Sequence, residues 1–283
     1  VIHYSLFMTT NYFFQIQIQI NKMSDKIKFK IKNDMFPDFI SKLKDLTNID
    51  KTIKLKIDRD NILMYSMLGS GSIMVAFKNY ILKTSDYLET KEDIEYTYDI
   101  IITSCDKFVK NLSFIKEEDL IGMVITHRDS NEDDDVRVAR KIEIKGGKLK
   151  VNWLAGEYYE VRDLTKEKLE ENLDLDNRTW NFSLTQSQFS DVKKLSKINT
   201  DNIITFNVDK GKVSIFERAA WDLEIGMIEN IDKNFIFNKR FLKCVDETME
   251  NIEFSLFDTF ILVKNNDNNL MLSYEQDFSD EDL

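Results

Sequence analysis

One pattern of elements recurs along this chain, and internal repetition constrains an architecture before any single motif can. Lys26–Lys32 (KIKFKIK) alternates like a half-buried strand. Asn33 and Asp34 follow as candidate helix caps, and Pro37 suits a first helical turn. Phe36, Phe39, Ile40, Leu43 and Leu46 then recur at helical spacing. Strands are expected at Thr52–Asp58, at Ile62–Leu68 after the turn Arg59–Asn61, and at Ser72–Leu82 after the turn Gly69–Gly71. Tyr96–Ile102 is a further strand. Thr103 or Ser104 caps a second helix that buries Phe108, Val109, Leu112 and Ile115. Leu120–His127 and Val136–Ile144 are strands, and Gly146-Gly147 turns the chain into Leu149–Trp153.

Residues 156–178 are charged and lack apolar periodicity, so they read as a connector. The series then restarts. Trp180–Leu184 is a strand and Thr185–Ile198 a helix. Asn202–Val208 and Lys212–Phe216 form a hairpin, and Ala219–Ile228 is a strand. Phe235–Phe237 leads into a helix from Asn238 to about Thr248, and Ile252–Leu256, Asp258–Val263 and Asn269–Tyr274 close the chain as strands. Each half reads twice as strand, helix, several strands. The expectation is an α+β fold of two similar domains, 23–155 and 179–276, with an acidic tail at 277–283. Val1–Lys22 is aromatic, Gln-rich and Ile-rich, and reads as an extension outside the fold, with an extra edge strand over the alternating Gln15–Ile20 as the other reading.

Composition narrows the function classes. Hydrophobic residues make up 42% and charged residues 31%, which excludes a disordered chain. No apolar run approaches the length of a membrane helix. Cys105 and Cys244 are the two cysteines and both lie in apolar stretches, so they read as buried thiols. With two cysteines and two histidines, a structural zinc site has too few ligands. The net charge is −11, which argues against nucleic acid unless the cations are gathered on one surface.

The second half resembles the DNA sliding clamps of tailed bacteriophages and, more distantly, proliferating cell nuclear antigen. The resemblance lies in Asn181-Phe-Ser-Leu184 entering its helix, in Asn202–Phe216 (NIITFNVDKGKVSIF), in Asn234-Phe-Ile-Phe-Asn238 before the next helix, and in Leu270-Met-Leu-Ser-Tyr274 before the acidic end. The first half matches in element order. The resemblance implies two processivity-fold domains per chain, each with two helices on antiparallel sheets. It implies a homotrimer that closes head to tail into a six-domain ring. It also implies duplex DNA, a replicative DNA polymerase and an ATP-dependent clamp loader as partners, no cofactor, no catalytic residue, and the cytoplasm of an infected host cell as the place of action. A pocket on the outer face near the connector would take partner peptides, with Phe216, Trp221 and Tyr274 as candidates by position. For each of these three, ordinary core packing is the better-suited reading.

A ring around DNA makes a demand that can be read residue by residue. Its inner helices must turn Lys and Arg away from their apolar stripe. In the third helix Phe189, Val192, Leu195 and Ile198 form the stripe, while Lys193, Lys194 and Lys197 share a face with Ser190 that holds no acid. In the fourth, Lys239 and Lys243 are one turn apart with Arg240 beside them. In the second, Lys107 and Lys110 sit together. The first helix is mixed, with Lys42 and Lys44 set among Asp34, Asp38 and Asp45. A lysine face on one helix is an ordinary solvated face; recurrence at equivalent places in a repeat points to phosphate contacts without base reading. The acid gathers elsewhere, in Asn131–Asp135, Lys166–Asp176 and Ser279–Asp282.

Other sites fail on chemistry. Asp129–Asp135 has the oxygen spacing of a calcium loop, but its sixth and twelfth positions are Asp134 and Arg140. Gly69–Ser72 lacks the Lys-Ser/Thr of a phosphate loop. His127 has no nucleophile at a recognisable spacing. Two rivals stand beside the clamp: a β-rich virion structural or assembly protein, and a hydrolase with carboxylates too numerous to single out.

Overall fold

The computed structural model describes residues 26–274, apart from 71–72, 90–93, 117–119, 132, 158–177, 199–202, 210–211, 218–220, 228–232, 247–249 and 265–267. The expected extension, most of the connector and the acidic tail lie outside the described residues. The first half runs β1 (Lys26–Ile31), α1 (Phe36–Leu46), β2 (Ile53–Ile57), β3 (Asn61–Ser70), β4 (Ile73–Lys83), β5 (Thr97–Ile102), α2 (Cys105–Leu112), β6 (Ile121–Asp129), β7 (Val136–Gly146) and β8 (Leu149–Leu154). The second half repeats that order. It runs β9 (Trp180–Thr185), α3 (Gln186–Leu195), β10 (Ile203–Asp209), β11 (Lys212–Glu217), β12 (Trp221–Met227), β13 (Lys233–Asn238), a 3-10 segment (Lys239–Cys244), β14 (Asn251–Leu256), β15 (Phe260–Lys264) and β16 (Asn268–Ser273).

The alternating strands behave as their periodicity predicts. In β1, Ile27, Phe29 and Ile31 are buried while the lysines between them are exposed. The helices bury Phe36, Phe39, Leu43 and Leu46 in α1, and Cys105, Phe108, Val109 and Leu112 in α2. A core joins both helices to β1, β2, β5, β6 and β7. An aromatic core fills the second half, where Phe254 lies 4.9 Å from Phe182 and 6.1 Å from Phe189 between ring centroids.

Twelve strands form one sheet in the order β1-β6-β7-β5-β2-β3-β4-β16-β15-β14-β9, with β8 paired to the second part of β7 beyond its short pairing with β5; β12-β11-β10-β13 form a second. The two halves meet where β4 pairs antiparallel with β16. Across that joint Ala76 stands opposite Leu272 in the helix-side core, and Phe77 opposite Met271 in a cluster on the other face. The helical layers of both halves therefore lie on one side of a continuous wall. Among the described residues no helix is long and apolar enough to cross a membrane.

Several local expectations are corrected. Asn33 and Asp34 do not cap α1: they form a 3-10 turn, Asn33–Met35, with no side-chain cap bond at either helical start. Ser104 stands at the N-cap of α2 with a left-handed backbone and no side-chain cap bond. Gly69 and Ser70 belong to β3, opposite Met74 and Ile73, so the expected turn there is shorter. A single helical turn, Thr84–Tyr87, has no counterpart in the sequence pattern. The helix expected over Thr185–Ile198 is α3, with Thr185 as its cap, and Ile198 lies past its end, 74% exposed. The fourth helix is the six-residue 3-10 segment.

Candidate nucleic-acid interface

The helix side of the wall carries the cations that the sequence singles out. The stripe of each helix is pinned to the sheet by burial, so its remaining positions face outward. On α2, Lys107, Lys110 and Asn111 are exposed beside Asp106. Leu112 and Val109, on the opposite face, are buried. This amphipathic split places both lysines clear of the core.

α3 begins with a reciprocal capping box. The Thr185 hydroxyl accepts from the Gln188 backbone N–H at 3.3 Å, and the Gln188 side chain accepts from the Thr185 N–H at 3.0 Å. Phe189 and Val192 are buried. Lys194 and Lys197 are exposed and Lys193 is half-buried, its ammonium 6.0 Å from the Phe189 ring. The expectation of an acid-free face needs correcting. Asp191 borders it, and the Lys194 ammonium donates to that carboxylate at 3.1 Å. Both groups are exposed, so the pair is weak and water competes for it.

The 3-10 segment carries Lys239, half-buried, and Lys243, exposed; Arg240 lies in the same segment. Leu242 and Cys244 anchor it in the second core. α1 contributes differently. Lys42 is half-buried, donates to both Asp38 oxygens at 2.8 and 2.9 Å, and stands 5.4 Å from the Tyr80 ring. The exposed cation of α1 is Lys44. Helical spacing puts Lys42 on the surface, but Asp38 one turn before it and Tyr80 across the sheet draw it inward.

The same corner holds a polar cluster that sequence reasoning missed. Lys78 of β4 is buried at 1% exposure, with its ammonium 2.5 Å from Asp45 of α1 and hydrogen-bonded to the Cys244 carbonyl. The Tyr80 hydroxyl donates to Asp45 at 2.6 Å. One lysine thus ties the first helix to the 3-10 segment of the other half. Beside it the Asn269 amide donates to Asn79 at 3.2 Å across the joint. The signal in the sequence is a lysine and an asparagine side by side inside an otherwise apolar strand, so that one polar residue falls on each face.

On the opposite side of the wall lies an apolar cluster across the joint. Leu63, Tyr65, Phe77, Ile101, Leu262 and Met271 are buried there, with Met67 and Phe260 partly so. The chain leaving β8 meets it at Ile101, whose carbonyl accepts from the Gly156 N–H at 2.8 Å. Of the three pocket candidates, Tyr274 packs on Phe235 at 5.0 Å between centroids, on the second core. Burial pushes its hydroxyl pKa well up, with Asp258 adding to the effect. Phe216 and Trp221 lie on β11 and β12, opposite Asp222 and Glu217; their side chains lie outside the described residues.

Two other residues are structural in placement. His127 is buried in β6, 5.2 Å from the Tyr98 ring. Cys105 is buried, and burial with Asp106 nearby raises its thiol pKa to about 12. No group of three metal-ligating side chains stands together among the described residues.

Solved structures share this arrangement of strands and helices. The DNA polymerase III β subunit of Borrelia burgdorferi superposes with a TM-score of 0.57 at 14% identity, over 90% of this chain and 66% of that one. The fold is that of the DNA clamps. The β clamp of Helicobacter pylori bound to a DNA ligase peptide gives 0.58 at 13% identity, over 90% and 69%. Proliferating cellular nuclear antigen of Entamoeba histolytica gives 0.55 at 12% identity, over 90% of this chain and 100% of that one. The chain therefore spans about two thirds of the bacterial clamps it resembles and the full length of the second kind. No family model and no curated protein matches the sequence.

Proposed function

We propose that this chain is a non-enzymatic sliding clamp that encircles duplex DNA and tethers a replicative polymerase. The observation that carries the reading is the one-sided wall: both helical layers share a face, and exposed lysines recur on α2, α3 and the 3-10 segment in a chain of net charge −11. In the ring, Lys107, Lys110, Lys193, Lys194, Lys197, Lys239, Arg240 and Lys243 contact phosphates, with Lys42 held back by Asp38. Such contacts are weak and salt-sensitive, and retention comes from topology.

The two domains take 23–155 and 179–276, joined by the connector at 156–178. Three chains give six domains. The repeat suggests how they join: β4 and β16 pair inside the chain, while their counterparts β12 and β8 have no further partner strand among the described residues. Pairing β12 of one copy with β8 of the next closes the ring and covers both edges. Partner peptides dock on the outer face at the partly buried margin of the apolar cluster around Phe77 and Met271, formed by Met67, Ile81 and Phe260; the β clamp of Helicobacter pylori is bound to a DNA ligase peptide. That moves the partner pocket away from Phe216 and Trp221. An ATP-dependent loader opens the ring, and a phage replication system is the setting the sequence resemblance favours.

The test is retention on nicked circular DNA against linearised DNA after loading with the cognate loader. Retention on circles with run-off from linear DNA is expected, at a mass three times 33.4 kDa. Reversing Lys193, Lys194 and Lys197 to Glu should reduce loading and flatten its salt dependence, by roughly 0.9 in log–log slope for each phosphate no longer neutralised. Equal retention on both DNA forms would remove the ring mechanism.

A further inference from the structure

The joint between the two halves is a template for the joint between copies. In it Lys78, Asn79 and Tyr80 of β4 stand opposite Leu270, Asn269 and Asn268 of β16. The sheet ladders map each of these positions onto the other half. In the first half Asp58 and Asn61 flank a two-residue hairpin loop; in the second, Asp209 and Lys212 do. Counting from those loops, Met64, Tyr65 and Ser66 correspond to Ile215, Phe216 and Glu217. Their neighbours on the next strand are Tyr80, Asn79 and Lys78 in one half, and Leu223, Asp222 and Trp221 in the other.

β8 maps as directly. Ile31 and Leu184 each precede the first buried phenylalanine of the helix, Phe36 or Phe189, by the same interval. Ile31 pairs with Ile121, and Leu184 with Ile252. Two residues on, the ladder Met123–Ile144–Val151 matches the ladder Phe254–Val263–Leu270. Val151, Lys150 and Leu149 are therefore the counterparts of Leu270, Asn269 and Asn268.

From this we infer that copies of the chain join in one register, with Trp221 opposite Val151, Asp222 opposite Lys150 and Leu223 opposite Leu149. The inference rests on the ring reading above and specifies its joint. The chemistry agrees although it took no part in the alignment: apolar residues meet apolar residues and an acid meets a base. One step further, Glu224 adjoins Lys148, and both residues are exposed.

The β8 edge also needs an acid. Lys150 stands opposite Lys145 on β7, a like-charge pair, and only part of that charge is met by Glu143, 2.7 Å from the Lys150 ammonium. A carboxylate on the outer side of Lys150 completes the set. A slip of one residue would place Asp222 against Val151 or Leu149 and turn every side chain to the wrong face. At the equivalent place inside the chain, two neutral amides, Asn79 and Asn269, meet instead. The joint between copies is thus ionic where the joint within the chain is not, and it weakens with salt.

The experiment uses the full chain, with mass read by sedimentation across a concentration series. Lys150→Glu and Asp222→Lys should each weaken assembly about tenfold, since each turns an attraction into a repulsion. The double variant should restore it, and circular dichroism confirms that all three are folded. In parallel, Val151→Cys with Trp221→Cys should cross-link copies under oxidation, and Val151→Cys with Leu223→Cys should not. If the wild-type chain is a trimer but the charge reversals leave it unchanged, or the second cysteine pair cross-links as well as the first, this register is overturned and the ring stands. If the wild-type chain stays monomeric at every concentration, the ring reading fails and takes the register with it.

Discussion

Replacing Lys78 with Met tests how the two halves are held. Lys78 is buried, and its charge is shared between Asp45 of α1 at 2.5 Å and the Cys244 carbonyl of the 3-10 segment. Methionine has nearly the same length, so packing is largely kept and the substitution removes the charge interactions alone. Breaking a buried pair by removing one partner costs about 3–5 kcal/mol when the other is stranded. Asp45 is not fully stranded: its side chain is 25% exposed and still accepts from Tyr80. The expected cost therefore falls to about 2–3 kcal/mol, which for a chain of this size lowers Tm by roughly 4–12 °C. Thermal unfolding followed by circular dichroism at one protein concentration measures it. Asp45→Asn should cost at least as much, because it strands the more deeply buried Lys78 ammonium, and Lys78→Met with Asp45→Asn should cost less than the sum, because both remove one interaction. A Lys78→Met variant within about 0.5 kcal/mol of wild type, or strict additivity of the pair, would refute the linkage.

Other outcomes follow from the same structure. Thr185→Ala removes the cap of α3 and should cost about 1 kcal/mol in chemical denaturation, with Thr185→Ser recovering most of it. Phe254→Ala empties the centre of the second aromatic core, where three rings approach it, and should cost about 3–5 kcal/mol. Cys105 should resist a thiol reagent at pH 8 until the chain is unfolded. Its folded pKa of about 12 stands above the ordinary 9.0, so the unfolded chain ionises first as pH rises. The stability it contributes is complete below pH 9 and is lost between 9 and 12; Cys105→Ala should show a shallower loss of Tm over that window.

Much of this fold is legible in the sequence because its signals are local. The alternation in β1 and the spacing of Phe36, Phe39, Leu43 and Leu46 each predict which atoms are buried, and the structure buries them. The repeat is legible for the same reason, since it is a recurrence of such signals. Misreadings arise where a distant partner decides. Leu242 and Val245 suggest a fourth α-helix, but the tight 3-10 segment ends at Cys244, whose carbonyl is taken by Lys78 from the other half. The roles of Lys78 and Asn79 are not legible in their strand because their partners lie 166 and 190 positions away. Lys42 reads as a surface cation until Tyr80 is placed beside it.

Buried polar groups at a joint need a physical reason, because an apolar replacement is often as stable. The joint within this chain buries Lys78, Asn79, Asn268 and Asn269, and it never has to open on its own account, since the chain is continuous across it. Its polar groups add register. The Asn269 amide reaching the Asn79 oxygen and a lysine reaching one carbonyl are each bonded in this alignment, and a slip would break both bonds. The proposed joint between copies has the opposite requirement, because a closed ring must part to admit DNA. Opening a joint with buried lysine and amides would be slow, whereas separating exposed charges such as Lys148 and Glu224 returns each to water at little cost. The split into one polar, buried joint and one charged, exposed joint is therefore what a ring that opens at chain boundaries and stays rigid within each chain requires. It predicts that moderate salt separates copies well before it unfolds them.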